Sequence, residues 1–407
     1  MYIFKVAVVG AGIMGAEITQ VVSYAGLPVV MKDIDQAILD KAMDHIRGIY
    51  QRRVDKGKMS PGDMASKMDL ITPTLTYDEF GDVDLVIEAV PERVEIKKRV
   101  FQELHEVCPE STIFASNTSA LSISEMGTAS GRPEKMIGMH FFNPAHVMKL
   151  VEVIPGLDTS QETVDDIVMF SETLRKIPVV VKECPGFLVN RLLLPYLNEA
   201  VMALEEGAAS APEIDKAMVE FGMPMGPFTL MDMLGLDVAY DVGQYMGEEY
   251  GERMKGAPLF AKLVERGRLG EKSGAGFYDY PGGETETLEQ IIRELQESGE
   301  VPTGTEFSVD RLILPMINEA TLCLQEGIAS ASDIDMAMIA GTGMTYHGER
   351  MGPLAVADEM GLDVVLEKLE ALRERLGERF RPTWSLRLKV RAGHLGKKVG
   401  RGFHEYA

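Results

Sequence analysis

The sequence predicts an α/β domain built on a doubly wound parallel sheet, followed by two homologous helical domains. Three observations carry this: short apolar runs alternating with helical patterns up to about residue 183, a glycine turn directly after the first run, and an internal repeat filling most of the remainder. The domains are placed at 1–183, 184–281 and 305–407, with an acidic, glycine-containing connector at 282–304.

The expected strands of the first domain are Lys5–Val9, Val29–Met31, Leu85–Ala89, Ile113–Ala115, Ile137–Phe141, Val151–Ile154 and Val179–Val181. Most are apolar and β-branched, as strands covered on both faces tend to be. Between the second and third lies a long polar helical region, Asp35–Lys67, carrying Arg47, Arg52, Arg53, Lys56 and Lys58. Such a run is ordinarily a solvated helix face, but in a chain this acidic it is also the best candidate for an anion contact. After Pro185-Gly186 the period changes, and Leu188–Leu204 places apolar residues at helical spacing.

The helical half repeats itself. Arg191-Leu-Leu-Leu-Pro-Tyr-Leu-Asn-Glu-Ala200 recurs as Arg311-Leu-Ile-Leu-Pro-Met-Ile-Asn-Glu-Ala320, and Glu206-Gly-Ala-Ala-Ser recurs from Glu326. After an insertion near Thr342–Arg350, Met225-Gly-Pro matches Met351-Gly-Pro, Gly235-Leu-Asp matches Gly361-Leu-Asp, and Leu269–Phe277 matches Leu395–Phe403. Two copies are too few for a solenoid, so they are expected to pack on one another as two domains. Scattered helical methionines such as Met218 and Met338, with Phe228 and Leu234, are assigned to packing.

Acidic side chains number 63 against 41 basic ones, a net charge of −22 that repels nucleic acid phosphates and anionic lipid heads. No apolar stretch approaches the ~20 residues of a membrane span. Neither nucleic acid nor membrane is an expected partner. The N-terminus runs straight into a strand without the features of an export signal, and the mature chain is expected to begin there. Cys108, Cys184 and Cys323 lie far apart and suit neither a disulfide framework nor a metal site, which points to a reducing cytoplasm and no metal.

Gly10-Ala-Gly-Ile-Met-Gly15 follows a strand and opens the helical pattern Ile18, Val21, Val22, the context of a Rossmann-type dinucleotide fingerprint. Gly10 suits the tight turn, Gly12 the approach of the backbone to a pyrophosphate, and Gly15 the packing of helix on strand; Ile13 and Met14 complete the loop. The free N–H groups of the helix N-terminus accept phosphate despite the chain's negative charge. Asp33, after the second strand, suits a ribose 2′-hydroxyl and opposes a 2′-phosphate, so NAD is the expected cofactor rather than NADP.

Polar residues gather after later strands: Ser116-Asn117-Thr118-Ser119, with Asn117 assigned to the cofactor side, and His140-Phe-Phe-Asn-Pro144, with Glu152 close behind in sequence. The carboxyl ends of parallel strands form the ligand crevice of such sheets. Oxidising an alcohol by hydride transfer needs a base near neutral pH, so His140 is the candidate base and Glu152 the carboxylate that holds its ring. His45, His105, His146, His347, His394 and His404 are read as ordinary core or surface residues.

With these motifs, and with Glu88-Ala-Val-Pro-Glu92, Lys149-Leu-Val-Glu-Val153, Pro185-Gly-Phe-Leu-Val-Asn-Arg191 and Gly270-Glu-Lys-Ser-Gly-Ala-Gly-Phe277, the chain resembles the (S)-3-hydroxyacyl-CoA dehydrogenase family over nearly its whole length. The layout is similar to that of a member with two helical repeats. The resemblance implies reversible oxidation of a 3-hydroxyacyl-CoA to a 3-oxoacyl-CoA, in fatty-acid β-oxidation or short-chain acyl-CoA metabolism. It implies His140 and Glu152 as the catalytic pair, and Ser119 and Asn190 as hydrogen-bond partners of the reacting hydroxyl or thioester carbonyl. It also implies Asp33, Glu92, Lys97, Ser119 and Lys272 as NAD contacts, and Lys56 as the simplest choice among several basic residues for the CoA phosphates.

Asn190 opens the helical half, so the site is expected to complete itself when the halves close. In the second repeat its place is taken by Asp310, and no second glycine fingerprint accompanies it, so a second active site is not expected. The second copy supplies instead a pseudo-dimeric packing surface within one chain, compatible with a monomer or a homodimer. Two rivals share the scaffold: a dehydrogenase of non-CoA 3-hydroxy acids or sugar acids, and a non-catalytic NAD-binding protein. A fluorescence titration should show saturable NADH binding below millimolar concentration, and no binding at that level would remove the cofactor assignment.

Overall fold

The computed structural model describes residues 2–281 and 287–406, in two compact units, Met1–Phe187 and Leu188–Ala407. In the first unit, β1 (Val6–Val9), α1 (Ile13–Ala25), β2 (Val29–Lys32), α2 (Gln36–Asp55), α3 (Pro61–Met68) and β3 (Ile71–Thr74) form one half. The other half runs β4 (Leu85–Glu88), α4 (Val94–Val107), β5 (Ile113–Ser116), α5 (Ile123–Ser130), β6 (Met136–Phe141), β7 (Leu150–Pro155), α6 (Gln161–Thr173) and β8 (Ile177–Val180). They build one eight-stranded sheet in the order β3-β2-β1-β4-β5-β6-β7-β8. Val6, Val8, Met31, Ile87, Met139 and Val153 on the strands and Ile18 and Val22 on α1 are buried in its core. The chain leaves β1 towards one edge and β4 towards the other, so the topological switch point lies between them, beside the glycine turn.

Three local features depart from the expected pattern. The polar region Asp35–Lys67 is two helices, because Gly57 takes a left-handed φ of 65° and Ser60 starts α3 with a capping box to Asp63 and Pro61 in the first turn. Strand β3 was not expected, since it contains Pro73 and buries only Ile71; it pairs with β2 at the sheet edge, where proline is tolerated. The sheet is also not wholly parallel. Only residues 142–149 separate β6 from β7, too few for a crossover, and these strands pair antiparallel.

The second unit contains α7 (Val189–Glu205), α8 (Ala211–Phe221), α9 (Pro227–Leu234), α10 (Leu236–Tyr250) and α11 (Pro258–Glu265). It continues with α12 (Leu288–Ser298), α13 (Val309–Glu326), α14 (Ala331–Thr342), β9 (Thr345–Tyr346), β10 (Glu349–Arg350), α15 (Pro353–Met360), α16 (Leu362–Leu376) and α17 (Trp384–Arg391). Residues 282–286 of the expected connector lie outside the described residues, and much of the rest is α12, started by a capping box at Thr287. The insertion before Met351 is a two-stranded hairpin, β9 with β10, turning at His347 and Gly348. It sits on Gly222, whose carbonyl accepts the Thr345 N–H.

Helices α7 and α13 meet through reciprocal buried ion pairs. Arg191 reaches Glu319 (2.7 Å) and Glu326 (2.8 Å), while the matching Arg311 reaches Glu199 (2.9 Å) and Glu206 (2.8 Å). Arg253 adds to Glu319 as Arg379 adds to Glu199. Each contact made by one segment is returned by the other, which is the geometry of an isologous interface. Both Arg191 and Arg311 are fully buried. Arg311→Met leaves Glu206 without its counter-charge and Glu199 with Arg379 alone, and a loss of about 3–5 kcal/mol is expected in the denaturant unfolding of the second unit.

Candidate active site

The turn after β1 is closed on two sides and open on the third. Gly10 has φ 100°, and a Cβ there would lie 2.6 Å from the Ala89 carbonyl oxygen beyond β4. A Cβ on Gly15 would lie 1.8 Å from the Gly10 carbonyl oxygen, so α1 can pack this close only on glycine. A Cβ on Gly12 would meet nothing within 4 Å. Gly12 is the N-cap of α1 and provides no side-chain hydrogen bond to its first amides. The result is a bare helix N-terminus facing open space at the switch point, a cradle that fits a pyrophosphate.

Asp33, just beyond β2, braces the same turn: its Oδ2 accepts the Ala11 N–H and its Oδ1 the Ile34 N–H, both at 2.7 Å. A carboxylate has about four acceptor directions, so two remain for ribose hydroxyls.

His140 and Glu152 are direct partners in the antiparallel register of β6 and β7, so their side chains leave the same face of the sheet. The His140 Nδ1 lies 2.7 Å from Glu152 Oε2 and its Nε2 lies 3.2 Å from Ser119 Oγ. Glu152 is wholly buried and His140 is 5% exposed. The rings of Phe142 and Phe187 stand 4.6 Å and 5.9 Å from the imidazole and enclose it in apolar surface. One ring nitrogen is thus fixed by a carboxylate and the other is aimed at a hydroxyl. Asn117 Oδ1 accepts the Phe141 N–H at 2.8 Å, tying the end of β5 to the end of β6.

Behind Ser119 lies a charged network. Lys97 of α4 is fully buried and pairs with Glu88 at 2.8 Å and Glu92 at 3.1 Å. Glu88 also accepts from Ser116 Oγ (2.6 Å) and the Val90 N–H (2.7 Å). Burial pushes the Glu88 carboxyl up despite these partners. Burial also acts to raise Glu92, but the Lys97 charge and the Thr118 and Ser119 hydrogen bonds outweigh it and hold that carboxyl below its ordinary value. Glu92 Oε1 accepts the Ser119 N–H at 2.7 Å, so the network sets the hydroxyl that faces His140.

Lys97, expected to contact the cofactor, is buried and pairs with the carboxylates of Glu88 and Glu92. Glu92 keeps an exposed edge while bracing Ser119. Lys272 belongs to the second unit, where it pairs with Asp237, as Lys398 pairs with Asp363 in the matching segment. Asn190 lies on the first turn of α7, and its counterpart Asp310 is ion-paired to Lys368 at 2.8 Å. Lys56 caps the end of α2, exposed like Arg47, Arg52 and Lys58, whereas Arg53 is engaged by Tyr24. Glu88 and Thr118 lie in motifs quoted from the sequence but were given no role there, and the buried Glu17 was not singled out; its being the one charged residue of α1 was the available signal.

A family model described as the NAD binding domain of 3-hydroxyacyl-CoA dehydrogenase matches residues 5–184, and the C-terminal domain of the same family matches 186–280 and again 307–406. The chain belongs to the 3-hydroxyacyl-CoA dehydrogenase family. Its first unit is that family's NAD-binding domain. A relative named fatty acid oxidation complex subunit alpha, from Psychrobacter arcticus, is 39% identical over 402 residues, covering 96% of this chain and 55% of its own length. The chain thus spans about half the length of the curated relatives it matches. Among solved structures, a 3-hydroxybutyryl-CoA dehydrogenase from Escherichia coli is 31% identical with a TM-score of 0.86, covering 96% of this chain and 99% of its own. An (S)-3-hydroxybutyryl-CoA dehydrogenase from Ralstonia eutropha is 40% identical with a TM-score of 0.66, covering 68% of this chain and 99% of its own. No helix among the described residues is long and apolar enough to cross a membrane.

Lys97→Met leaves Glu88 buried without its counter-charge, so the folded variant holds that carboxyl protonated. A carboxyl raised above its unfolded value, about 4.3, stabilises the fold below that value and loses the contribution as pH rises through the folded one. The expected deficit against wild type, about 3–5 kcal/mol at pH 8, should therefore be smaller at pH 5, as urea denaturation at the two pH values will measure.

Proposed function

We propose that the protein catalyses the reversible NAD-dependent oxidation of (S)-3-hydroxyacyl-CoA to 3-oxoacyl-CoA. The observation that carries this is the His140–Glu152 pair, 2.7 Å apart and enclosed, with the second imidazole nitrogen directed at Ser119 beyond a cradle suited to a dinucleotide. Glu152 holds Nδ1 as the donor, which leaves Nε2 as the basic nitrogen. Nε2 takes the proton of the 3-hydroxyl as the hydrogen on the same carbon leaves as hydride and the carbonyl forms; in the reverse direction it returns the proton. NAD⁺, when bound, supplies the hydride acceptor. Glu152 offsets the charge that appears on the imidazole, and Ser119 orients the oxygen.

For Ser119 as a substrate-holding group, and for Asn117 and Glu92 on the cofactor side, the support is the family motif together with the placement of each residue described above; for Asn190 towards the substrate and for Lys97 and Lys272 towards the cofactor it is the family motif alone. Lys56 is the proposed contact to the CoA phosphates, supported by its exposure at the end of α2. The names of the matched relatives support a place in fatty-acid β-oxidation or short-chain acyl-CoA metabolism. The reciprocal pairs of α7 and α13 support a duplicated domain acting as an internal pseudo-dimer, in a chain that is a monomer or a homodimer. The cysteine usage, three residues far apart in sequence, supports a cytoplasmic location.

NADH should be oxidised on addition of acetoacetyl-CoA. His140→Gln is expected to lose roughly 10²–10⁴-fold in kcat while retaining NADH binding by fluorescence. Unchanged turnover would exclude His140 as the base.

A further inference from the structure

The loop 142–149 joins the two strands that carry the catalytic pair, so its placement bears directly on how His140 and Glu152 meet. It is gripped from both sides at one residue. The N–H of Ala145 is donated to Glu17 Oε2 at 2.5 Å, and the carbonyl of Ala145 accepts from the Lys176 ammonium, which also donates to the Met148 carbonyl at 2.6 Å. Glu17 is 3% exposed, and its other oxygen lies 3.2 Å from His45 Nε2, with His146 Nδ1 3.3 Å from Oε2. Burial and the neighbouring Lys149 push Lys176 down to about 8, against the pull of Glu17.

Glu17 stands on α1, two residues past Gly15, on the helix whose N-terminus forms the dinucleotide cradle. A buried carboxylate on an apolar helix costs free energy unless it is well partnered, and here its partner is an amide more than a hundred residues away in sequence. The proposed chemistry gives neither Glu17 nor Lys176 a part. We infer that Glu17 is a positioning residue, which references the loop between His140 and Glu152 to the cofactor helix and so fixes the imidazole relative to the bound nicotinamide. This rests on the dehydrogenase reading above.

The test is the kcat of Glu17→Ala and Glu17→Gln per NADH site counted by fluorescence titration, in the acetoacetyl-CoA reaction. Misplacement of a catalytic group by about 1 Å can cost around a hundredfold, so Glu17→Ala is expected to lose roughly ten- to a hundredfold in kcat, with the acetoacetyl-CoA KM changed less than about twofold. Glutamine keeps an acceptor for the Ala145 amide and should restore kcat to within about threefold of wild type. A merely structural role would reduce the number of NADH sites and leave kcat per site intact, and that result overturns the inference, as does failure of glutamine to rescue. Should Glu17→Ala not fold, Glu17→Asp, charged but one methylene too short, is expected to lose kcat in the same way, and normal turnover from it overturns the inference equally. A wild-type protein inert towards acetoacetyl-CoA would overturn the dehydrogenase reading and this inference together, whereas an active wild type with an unaffected Glu17→Ala would overturn the inference alone.

Discussion

The antiparallel pairing of β6 with β7 is the constraint from which the site follows. In an otherwise parallel arrangement from β3 to β6, residues on successive strands that share an edge are brought there by crossover helices. One short loop instead turns the chain back, and the register sets His140 against Glu152. A slip of one residue would send either side chain to the opposite face and break the pair, because side chains alternate along a strand. The apolar core on that face resists such a slip, with Met139 and Val153 fully buried beside the pair. Packing energy, rather than the hydrogen bond alone, therefore protects the alignment of imidazole and carboxylate.

Charge is handled by the same economy of placement. A chain with a net charge of −22 could leave its carboxylates in water, yet it buries Glu17, Glu88, Glu152, Glu199, Glu206 and Glu319. Each has a partner of fixed geometry: Lys97 for Glu88, His140 for Glu152, and the two arginines of α7 and α13 for the others of the second unit. Buried ion pairs give little net stability against apolar replacements, but losing one partner is costly. Such pairs specify arrangement. Lys97 illustrates this, because it fixes Glu92, Glu92 fixes the Ser119 amide, and Ser119 stands against the His140 imidazole.

Much of this was legible in the sequence where a local rule governs the result. β1, β2 and β4 to β8 are apolar runs of the expected kind, and the glycine turn lies where strand, helix and acid predict it. What escaped was set by neighbours. Strand β3 is held by its pairing with β2 against a sequence containing Pro73. The direction of β7 could have been inferred from the shortness of 142–149, since no crossover fits there. The break between α2 and α3 was also open to inference from Ser60, Pro61 and Asp63. The buried partners of Lys97 could not have been placed that way: whether a lysine reaches a buried glutamate depends on which face of α4 packs against the sheet. The reciprocity of Arg191 and Arg311 likewise needed coordinates, although the repeated Arg and Glu positions carried the hint.

The two matching segments of the second unit separate scaffold from chemistry. Contacts that appear in both copies serve the fold common to both: Asp215 and Asp335 each accept amides at the start of the following helix, and Asp232 and Asp358 each accept two amides near the end of their segment. Lys272 and Lys398 each pair with an aspartate at the matching place. Positions where the copies diverge are free of that constraint. Asn190 against Asp310 is one, and the Asp310–Lys368 pair shows that the second copy has given the position a local use. Tyr278 against His404 is another, each reaching the same aspartate of its copy. The duplication has thus let the residue change at Asn190, whereas at Lys272 both copies retain the same bond.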